Sequence, residues 1–166
     1  MSVTNGVFVI VGNVFHGNGT GAGIAGGIVI AASASATHRL EFNSFSGNLV
    51  QAGIGSGVHC IASGFTAKNN IIFNNGTVPN PVQVGGACPH TFSDIGPMGP
   101  GALGDASDIN ADPLFENGTT GDLRVRMLTP VRDKADPNAT LTGLAARDIE
   151  NEARVAPPDI GADQAP

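Results

Sequence analysis

The sequence predicts an all-β fold, a right-handed parallel β-helix of about three to four coils that ends in a loop-rich C-terminal cap. Three observations predict it: an asparagine-based repeat, short apolar stretches bounded by Gly, Asn or Ser, and an unusual composition. The 166 residues include 24 Gly and 41% hydrophobic residues, only 13% charged residues, and no Trp or Tyr. This composition favours a compact, turn-rich β architecture over a helical bundle or a charged disordered chain.

The repeat is the pattern Asn-x-[Phe/Ile]-x-x-Asn, which begins at Asn13, Asn43 and Asn70. Units of about 30 residues that hold only short strands and turns fit one coil of a β-helix, in which each strand pairs with its equivalent about 4.8 Å away. The strands are predicted within Val7–Val11, Ile28–Ala32, Arg39–Phe45, Val58–Ala62 and Phe65–Phe73.

Stacked coils bring equivalent residues into columns. Asparagine amides hydrogen-bond along such columns, and asparagine backbones tolerate left-handed turns. The predicted structural ladders are Asn13 with Asn43 and Asn70, Asn18 with Asn48 and Asn75, and Phe15 with Phe45 and Ile72.

Strand alternation predicts which residues face the core and which face outward. It places Ile10, Leu40 and Ala67 inward. It places Val11, Glu41 and Lys68 outward, so that Glu41 and Lys68 become neighbours on adjacent coils.

We predict one domain, with β-helix coils over residues 1–95 and the last coil and loop-rich capping segment over residues 96–166. The capping segment is rich in proline and in acidic turns, and it needs apolar anchors to offset the entropy of ordering its loops. The expected anchors are Leu114, Phe115, Leu123, Val125, Val131 and Ile160.

An ordered series of short motifs marks the C-terminal part. It comprises Asp108–Phe115 (DINADPLF), Gly121–Val125 (GDLRV), Thr129–Asp133 (TPVRD) and Pro158–Asp163 (PDIGAD). The series resembles the C-terminal portion of the choice-of-anchor Q family, whose members are bacterial surface proteins similar to right-handed pectin-lyase-like β-helices. The resemblance implies a secreted or cell-surface parent protein of which this chain is a truncated fragment. TPVRD and ADQ depart from the family's SPAID and AYE.

Charge and hydropathy exclude several classes of partner. The net charge is −6, and residues 1–93 contain one acidic residue, Glu41, and two basic residues, Arg39 and Lys68. We therefore expect no nucleic-acid partner. No apolar run has the length of a membrane span and the N-terminus has no basic n-region, so we expect no membrane insertion, signal peptide or anchor in the chain.

A candidate ligand-binding patch comprises His38, Glu41, His59 and Lys68, which the register places on neighbouring coils. Such a patch suits a saccharide or a proton-transfer pair. The alternative is that these four are ordinary solvated strand residues. We predict no catalytic residue, because the coils supply one carboxylate and glycoside hydrolysis needs two.

A candidate Ca²⁺ site comprises Asp105, Asp108 and Asp112, extended by Glu116 and Asp122. The competing interpretation is that these aspartates form turns, because the EF-hand spacing is missing. We expect no other cofactor.

The chain has two cysteines, Cys60 and Cys88, whose separation is close to one coil. A disulfide between adjacent coils and two buried free thiols both fit this spacing. Four Asn-x-Thr sequences, at Asn18, Asn75, Asn117 and Asn138, match the N-glycosylation pattern, but Asn-Gly also marks tight turns, and we favour turns.

The sequence offers no amphipathic segment to cap the first coil, so we expect residues near Val7 to Phe15 to pack against a second copy. The leading functional hypothesis is a non-enzymatic surface or secreted β-helix segment for adhesion or glycan contact. The alternative is a fragment of a polysaccharide-active enzyme, either a pectate-lyase-like lyase or a glycosidase. One scaffold supports all of these functions.

Overall fold

The structure is a computed structural model that describes residues 1–4, 6–23, 26–32, 34–35, 37–50, 54–61, 64–76, 82–98 and 105–166. Within these residues the secondary structure is nearly all β. Fourteen short strands and one 3₁₀ helix, Gly143–Ala146, are present in the described part of the chain.

Twelve of the described strands form three parallel sheets of four strands each. Sheet A contains β1 (Ser2–Thr4), β4 (Ile28–Ala31), β7 (Val58–Cys60) and β10 (Val84–Gly86). Sheet B contains β2 (Val9–Val11), β5 (Arg39–Glu41), β8 (Ala67–Lys68) and β11 (His90–Thr91). Sheet C contains β3 (Val14–His16), β6 (Ser44–Ser46), β9 (Ile71–Phe73) and β12 (Asp94–Gly96).

The chain visits sheets A, B and C in turn, and each strand from β1 to β9 pairs with the third strand after it. We call each set of three consecutive strands a layer, so that layer 1 is β1–β3 and layer 4 is β10–β12. Parallel sheets stacked in this order are compatible with a parallel β-helix.

A sharp corner separates sheets B and C in every layer. The corner residues have positive φ: 70° at Gly12, 53° at Phe42, 59° at Asn69 and 49° at Phe92. The predicted continuous strands Arg39–Phe45 and Phe65–Phe73 are therefore wrong, since each is split into two strands at its corner residue. The corner at Phe42 had no sequence signal, because a left-handed backbone is rare for phenylalanine, whereas Asn69 is a residue type that tolerates it.

The interior between the three sheets is an apolar core. Ile10 and Leu40 share a column with Ala67, as alternation predicts, and His90 closes it in layer 4. In a second column the Phe15 and Phe45 rings stack with centroids 4.6 Å apart. The register continues this column to Ile72 and Ile95.

The C-terminal segment, residues 111–166, packs along the sides of the layers. It contains an antiparallel hairpin of β13 (Phe115–Asn117) and β14 (Asp122–Val125). The amide of Ala162 donates to Ser44 Oγ at 3.0 Å in layer 2, and the amide of Gly161 donates to the Asn69 carbonyl at 2.9 Å in layer 3. The segment therefore covers the corner between sheets B and C.

This packing creates a second apolar core outside the sheets. Its buried members are Val11, Phe42, Ile71, Phe73, Val125, Val131, Ala135, Ala145, Ile160 and Ala165. Val11 and Glu41, predicted to face outward, are only 7% and 8% exposed because this segment lies over them. Of the expected anchors, Val125, Val131 and Ile160 are members of this core and Phe115 packs against it. Leu123 is buried but is not a member, and Leu114 is half-buried with φ of 53° and is not a member either.

One buried guanidinium connects the C-terminal segment to the layers. Arg154 lies with its Cζ 4.6 Å from the centre of the Phe42 ring and donates to the carbonyls of Gly161 and Ala162 at 2.9 and 2.7 Å. Burial lowers its pKa to about 10, against the raising effect of nearby carboxylates, among them Asp148. The C-terminal segment thus places the Arg154 cation against the face of the Phe42 ring in layer 2.

Candidate functional site

The first asparagine ladder crosses the structure from end to end. Asn13 Nδ2 donates to Asn43 Oδ1 at 3.2 Å, and Asn43 Nδ2 donates to Asn70 Oδ1 at 3.0 Å. The backbone amide of Asn70 then donates to Ser93 Oγ, and the backbone amide of Ser93 donates to Asp108 Oδ1 at 2.9 Å. Serine and aspartate therefore end a column that asparagine begins.

The second ladder has the same polarity. Asn18 Nδ2 donates to Asn48 Oδ1 at 2.9 Å, and Asn48 Nδ2 donates to Asn75 Oδ1 at 2.7 Å. Asn75 Nδ2 donates to Gln83 Oε1 at 3.1 Å. The residues of both ladders have structural roles, because their amide groups are used within the stack.

The three carboxylates of the predicted Ca²⁺ site have separate hydrogen-bond partners. Asp108 terminates the first ladder, Asp105 Oδ1 accepts from the amide and hydroxyl of Ser107, and Asp112 Oδ1 accepts from the amide of Leu114. No group of three or more His, Cys, Asp or Glu side chains is arranged to hold a metal among the described residues. Each of the three accepts a backbone hydrogen bond, which is an arrangement that turn-forming aspartates adopt.

Cys60 and Cys88 form a disulfide with their Cα atoms 5.3 Å apart. Cys60 ends β7 and faces the core, while Cys88 follows β10 in the next layer. The bridge therefore joins layers 3 and 4.

Three of the four residues of the predicted ligand-binding patch line one groove on sheet B. These three residues are His38, Glu41 and Lys68, and the groove has a volume of about 470 Å³. His59 does not, because it lies on β7 of sheet A between Val29 and Gly85. The lining of this sheet-B groove is Ser35, His38, Arg39, Glu41, Phe65, Thr66, Lys68, Thr91 and Asp136.

Two ion pairs give the sheet-B groove its charge pattern. Arg39 Nη2 donates to Glu41 Oε2 at 2.7 Å, and this hydrogen bond raises the pKa of Arg39. Lys68 is in register with Glu41, but its Nζ lies 3.4 Å from Asp136 Oδ2 of the C-terminal segment. Positive and negative groups therefore alternate from layer 2 to layer 3.

His38 forms a rigid wall of the same groove. Its ring stacks on Phe8 with centroids 4.3 Å apart, and its Nδ1 accepts from the Phe8 amide at 3.3 Å. The Phe65 ring meets the Phe8 ring edge-on at 5.1 Å. His38 is buried, so the prediction of a solvated strand residue is wrong for it.

Sequence reasoning missed five lining residues that matter for the groove. Arg39 carries a usable signal, since alternation puts it on the same face as Glu41. Asp136 carries none, because it is 68 residues from Lys68 in the sequence and arrives through the packing of the C-terminal segment. The others are Phe65, Thr66 and Thr91.

A second groove, of about 590 Å³, lies between sheet C and the β13–β14 hairpin, and we call it the hairpin groove. Its lining includes His16, Asn74, Asp112, Glu116, Asn117 and Arg126. Arg126 Nε lies 3.5 Å from Glu116 Oε2, and both side chains are about half exposed. The C-terminal segment contributes residues to both grooves.

No helix in the described residues has the length and apolar character needed to span a membrane. No family model, no curated protein and no solved structure matches the chain.

Proposed function

We propose that the chain is a right-handed parallel β-helix of three to four coils, and that it is a non-enzymatic segment of a secreted or surface protein that contacts glycans. The fold proposal is supported by the return of every third strand to the same sheet. The surface assignment is supported by the resemblance of the C-terminal motifs to the choice-of-anchor Q family. The glycan assignment depends on the sheet-B groove.

The single observation that carries the glycan assignment is that positive and negative side chains alternate in that groove beside the half-buried ring of Phe65. Each sugar hydroxyl both donates and accepts a hydrogen bond, so neighbouring hydroxyls match a surface where cations and carboxylates alternate. The Arg39–Glu41 and Lys68–Asp136 pairs hold these groups in place before a ligand arrives. The Phe65 ring offers an apolar face for the C–H side of a sugar ring.

The test compares the two lysines of the chain. Lys68 lines the sheet-B groove, whereas Lys134 is exposed and outside it. A glycan array identifies a ligand for the wild-type chain, and calorimetry then measures its affinity for Lys68→Gln and Lys134→Gln. We expect Lys68→Gln to weaken binding about tenfold, as for the loss of one charge-assisted hydrogen bond, with no change for Lys134→Gln. Equal affinities of the two variants, or no glycan bound by the wild type, contradict the proposal.

A second candidate function, glycoside hydrolysis, is favoured by one specific observation. Glu41 and Asp136 bring two carboxylates to the sheet-B groove, where the sequence suggested only one. Hydrolysis needs such a pair on either side of the sugar bond. Reducing-end release from the bound glycan measures this activity. We expect no release, and release that disappears in Glu41→Gln would instead establish an enzyme.

Self-association remains part of the proposal. Val7, Val9 and Val14 are 66%, 47% and 38% exposed, and β2 and β3 lie at the outer edges of their sheets within the described residues. Open strand edges beside apolar side chains favour pairing with another chain. We expect light scattering to show a mass that rises with protein concentration, and a constant monomer mass contradicts this.

A further inference from the structure

The tripeptide Asn-Gly-Thr occurs three times in the chain, beginning at Asn18, Asn75 and Asn117. Identical local sequence gives the three asparagines the same local chemistry in an unfolded chain. Any difference between them in the folded protein therefore comes from tertiary structure. Asn5 also precedes a glycine, but it lies outside the described residues and in a different tripeptide.

Asparagine before glycine can modify itself. The amide nitrogen of the glycine attacks Cγ of the asparagine, so that an N–Cγ bond forms, the Cγ–Nδ2 bond breaks, and the nitrogen's proton leaves with the amide group as ammonia. Water then opens the resulting five-membered imide at either carbonyl, which yields aspartate or isoaspartate. The reaction needs a glycine nitrogen free to attack and a side-chain amide free to rotate, and glycine favours it because no Cβ obstructs the approach.

Asn75 meets neither requirement. Asn75 is fully buried, its Nδ2 donates to the Phe45 carbonyl at 3.0 Å, and its Oδ1 accepts a hydrogen bond from Asn48 Nδ2. The attacking nitrogen, that of Gly76, is itself engaged, because it donates to the Asn48 carbonyl at 2.7 Å. The ladder therefore protects Asn75 at both reacting groups.

Asn18 is intermediate. It is exposed in layer 1, but both its backbone amide and its Nδ2 donate to Asn48 Oδ1, at 3.1 and 2.9 Å. Its carbonyl also accepts from the Leu49 amide at 2.8 Å. These three bonds hold the side chain and backbone in the ladder geometry, which opposes the rotation that attack requires.

Asn117 is held least. It ends β13 at an exposed turn, and neither its Nδ2 nor the Gly118 amide nitrogen has a hydrogen-bond partner in the described residues. Its Oδ1 accepts from Thr119 Oγ1 at 2.7 Å. A hydrogen bond to this oxygen withdraws electron density from Cγ and makes that carbon a better target.

We propose that Asn117 is a self-modification site of the folded protein, converted to aspartate or isoaspartate faster than Asn18, and that Asn75 is the slowest of the three. The product places a new carboxylate in the hairpin groove beside Asp112, Glu116 and Arg126. The groove then gains one negative charge, and an isoaspartate lengthens the backbone of β13 where Asn117 pairs with Asp122.

Site-resolved peptide mapping tests the order. The folded chain is incubated near neutral pH, digested, and analysed by mass spectrometry with chromatography that separates aspartate from isoaspartate. A parallel sample in denaturant measures the three sites without tertiary structure. We expect comparable rates for all three in denaturant, and in the folded chain a ranking of Asn117 first, Asn18 second and Asn75 last.

Two variants connect the rate to the geometry. A Cβ on Gly118 would meet Phe115 at 3.4 Å, an ordinary contact, so Gly118→Ala keeps the fold while obstructing the nitrogen. We expect it to slow conversion of Asn117 by about tenfold or more. Thr119→Val removes the hydroxyl at similar volume and should slow it by a smaller factor. Circular dichroism verifies that both variants fold.

Three results would overturn the proposal. They are conversion of Asn75 or Asn18 as fast as Asn117 in the folded chain, no conversion of Asn117 in the folded chain while the denatured chain converts, and an unchanged rate in a folded Gly118→Ala variant. Each outcome is read at a single peptide, so conversion of Asn5 elsewhere in the chain does not affect it.

Discussion

The stacked layers and the C-terminal segment are stabilised by different chemistry. Layers 1 to 3 contribute neutral asparagine amides and apolar side chains, and residues 1–93 contain three charged residues apart from histidine. The C-terminal segment instead uses carboxylates as acceptors for backbone amides: Asp159 accepts from Asp133 and Ala165, and Asp163 accepts from Val125. Its one buried cation, Arg154, lies among them.

This difference teaches how each region meets the demand that buried polar groups be paired. The repeating layers 1 to 3 satisfy it with one side-chain type at equivalent positions, since each layer offers the next the same partners. A non-repeating segment must satisfy each backbone amide separately, and a carboxylate with two acceptor oxygens serves two such amides. The first solution is insensitive to pH, whereas the second introduces titrating groups into the interior.

The largest expected effect follows from removing the buried cation. Arg154→Ala should lower the free energy of unfolding by about 3–5 kcal/mol, because the carbonyls of Gly161 and Ala162 lose their donor and the nearby carboxylates lose their counter-charge. Urea unfolding measures the loss. Arg147→Ala is the control, since that exposed side chain donates to one carbonyl and its removal should cost under about 1 kcal/mol. Equal losses in the two variants would show that the buried guanidinium of Arg154 stabilises the fold no more than an exposed one does.

A smaller effect is expected in the layers. Asn43→Ala should cost about 2–3 kcal/mol, because its Nδ2 donates to Ile10 and Glu41 carbonyls as well as to Asn70. Asn13→Ala removes the equivalent residue from exposed layer 1 and should cost about 1 kcal/mol. Chemical denaturation of both variants measures the difference. A loss at Asn13 that equals the loss at Asn43 would mean that burial does not set the strength of the ladder.

The smallest effect concerns pH at the boundary between the two regions. Burial raises the pKa of Asp94 to about 7, opposed by a hydrogen bond from the Ala111 amide and increased by the charge of Asp112. A carboxyl group with a raised folded-state pKa stabilises fully below its unfolded pKa and loses that contribution as pH rises. Between about pH 5 and about pH 7 the wild type should therefore lose roughly 2 kcal/mol relative to Asp94→Asn.

Thermal or urea unfolding of both proteins at the two pH values measures this shift. His90, whose pKa burial lowers to about 4, is present in both proteins, so its opposite pH dependence cancels in the comparison. A difference between wild type and Asp94→Asn that does not change with pH would show that the carboxyl group of Asp94 does not titrate in this range.

Much of the register followed from the sequence alone. The pairing of Phe15 with Phe45 and of Glu41 with Lys68 is the register that the repeat predicts. The corner at Phe42 escaped prediction because composition indicates positive φ at glycine and asparagine, not at phenylalanine. The ending of the first ladder at Asp108 also escaped it, since the spacing from Ser93 is only 15 residues and the repeat no longer applies.

The sequence by itself determined the layered β architecture, because side chains that recur at a fixed interval can stack only if the backbone returns to the same place. The tertiary structure decided which outward residues remain exposed and what the grooves contain. It buried Val11 and Glu41 and brought Asp136 to Lys68, because a non-repeating segment packed along the layers. A repeat specifies contacts between its own copies, but contacts with a segment that does not repeat have no periodic signal in the sequence.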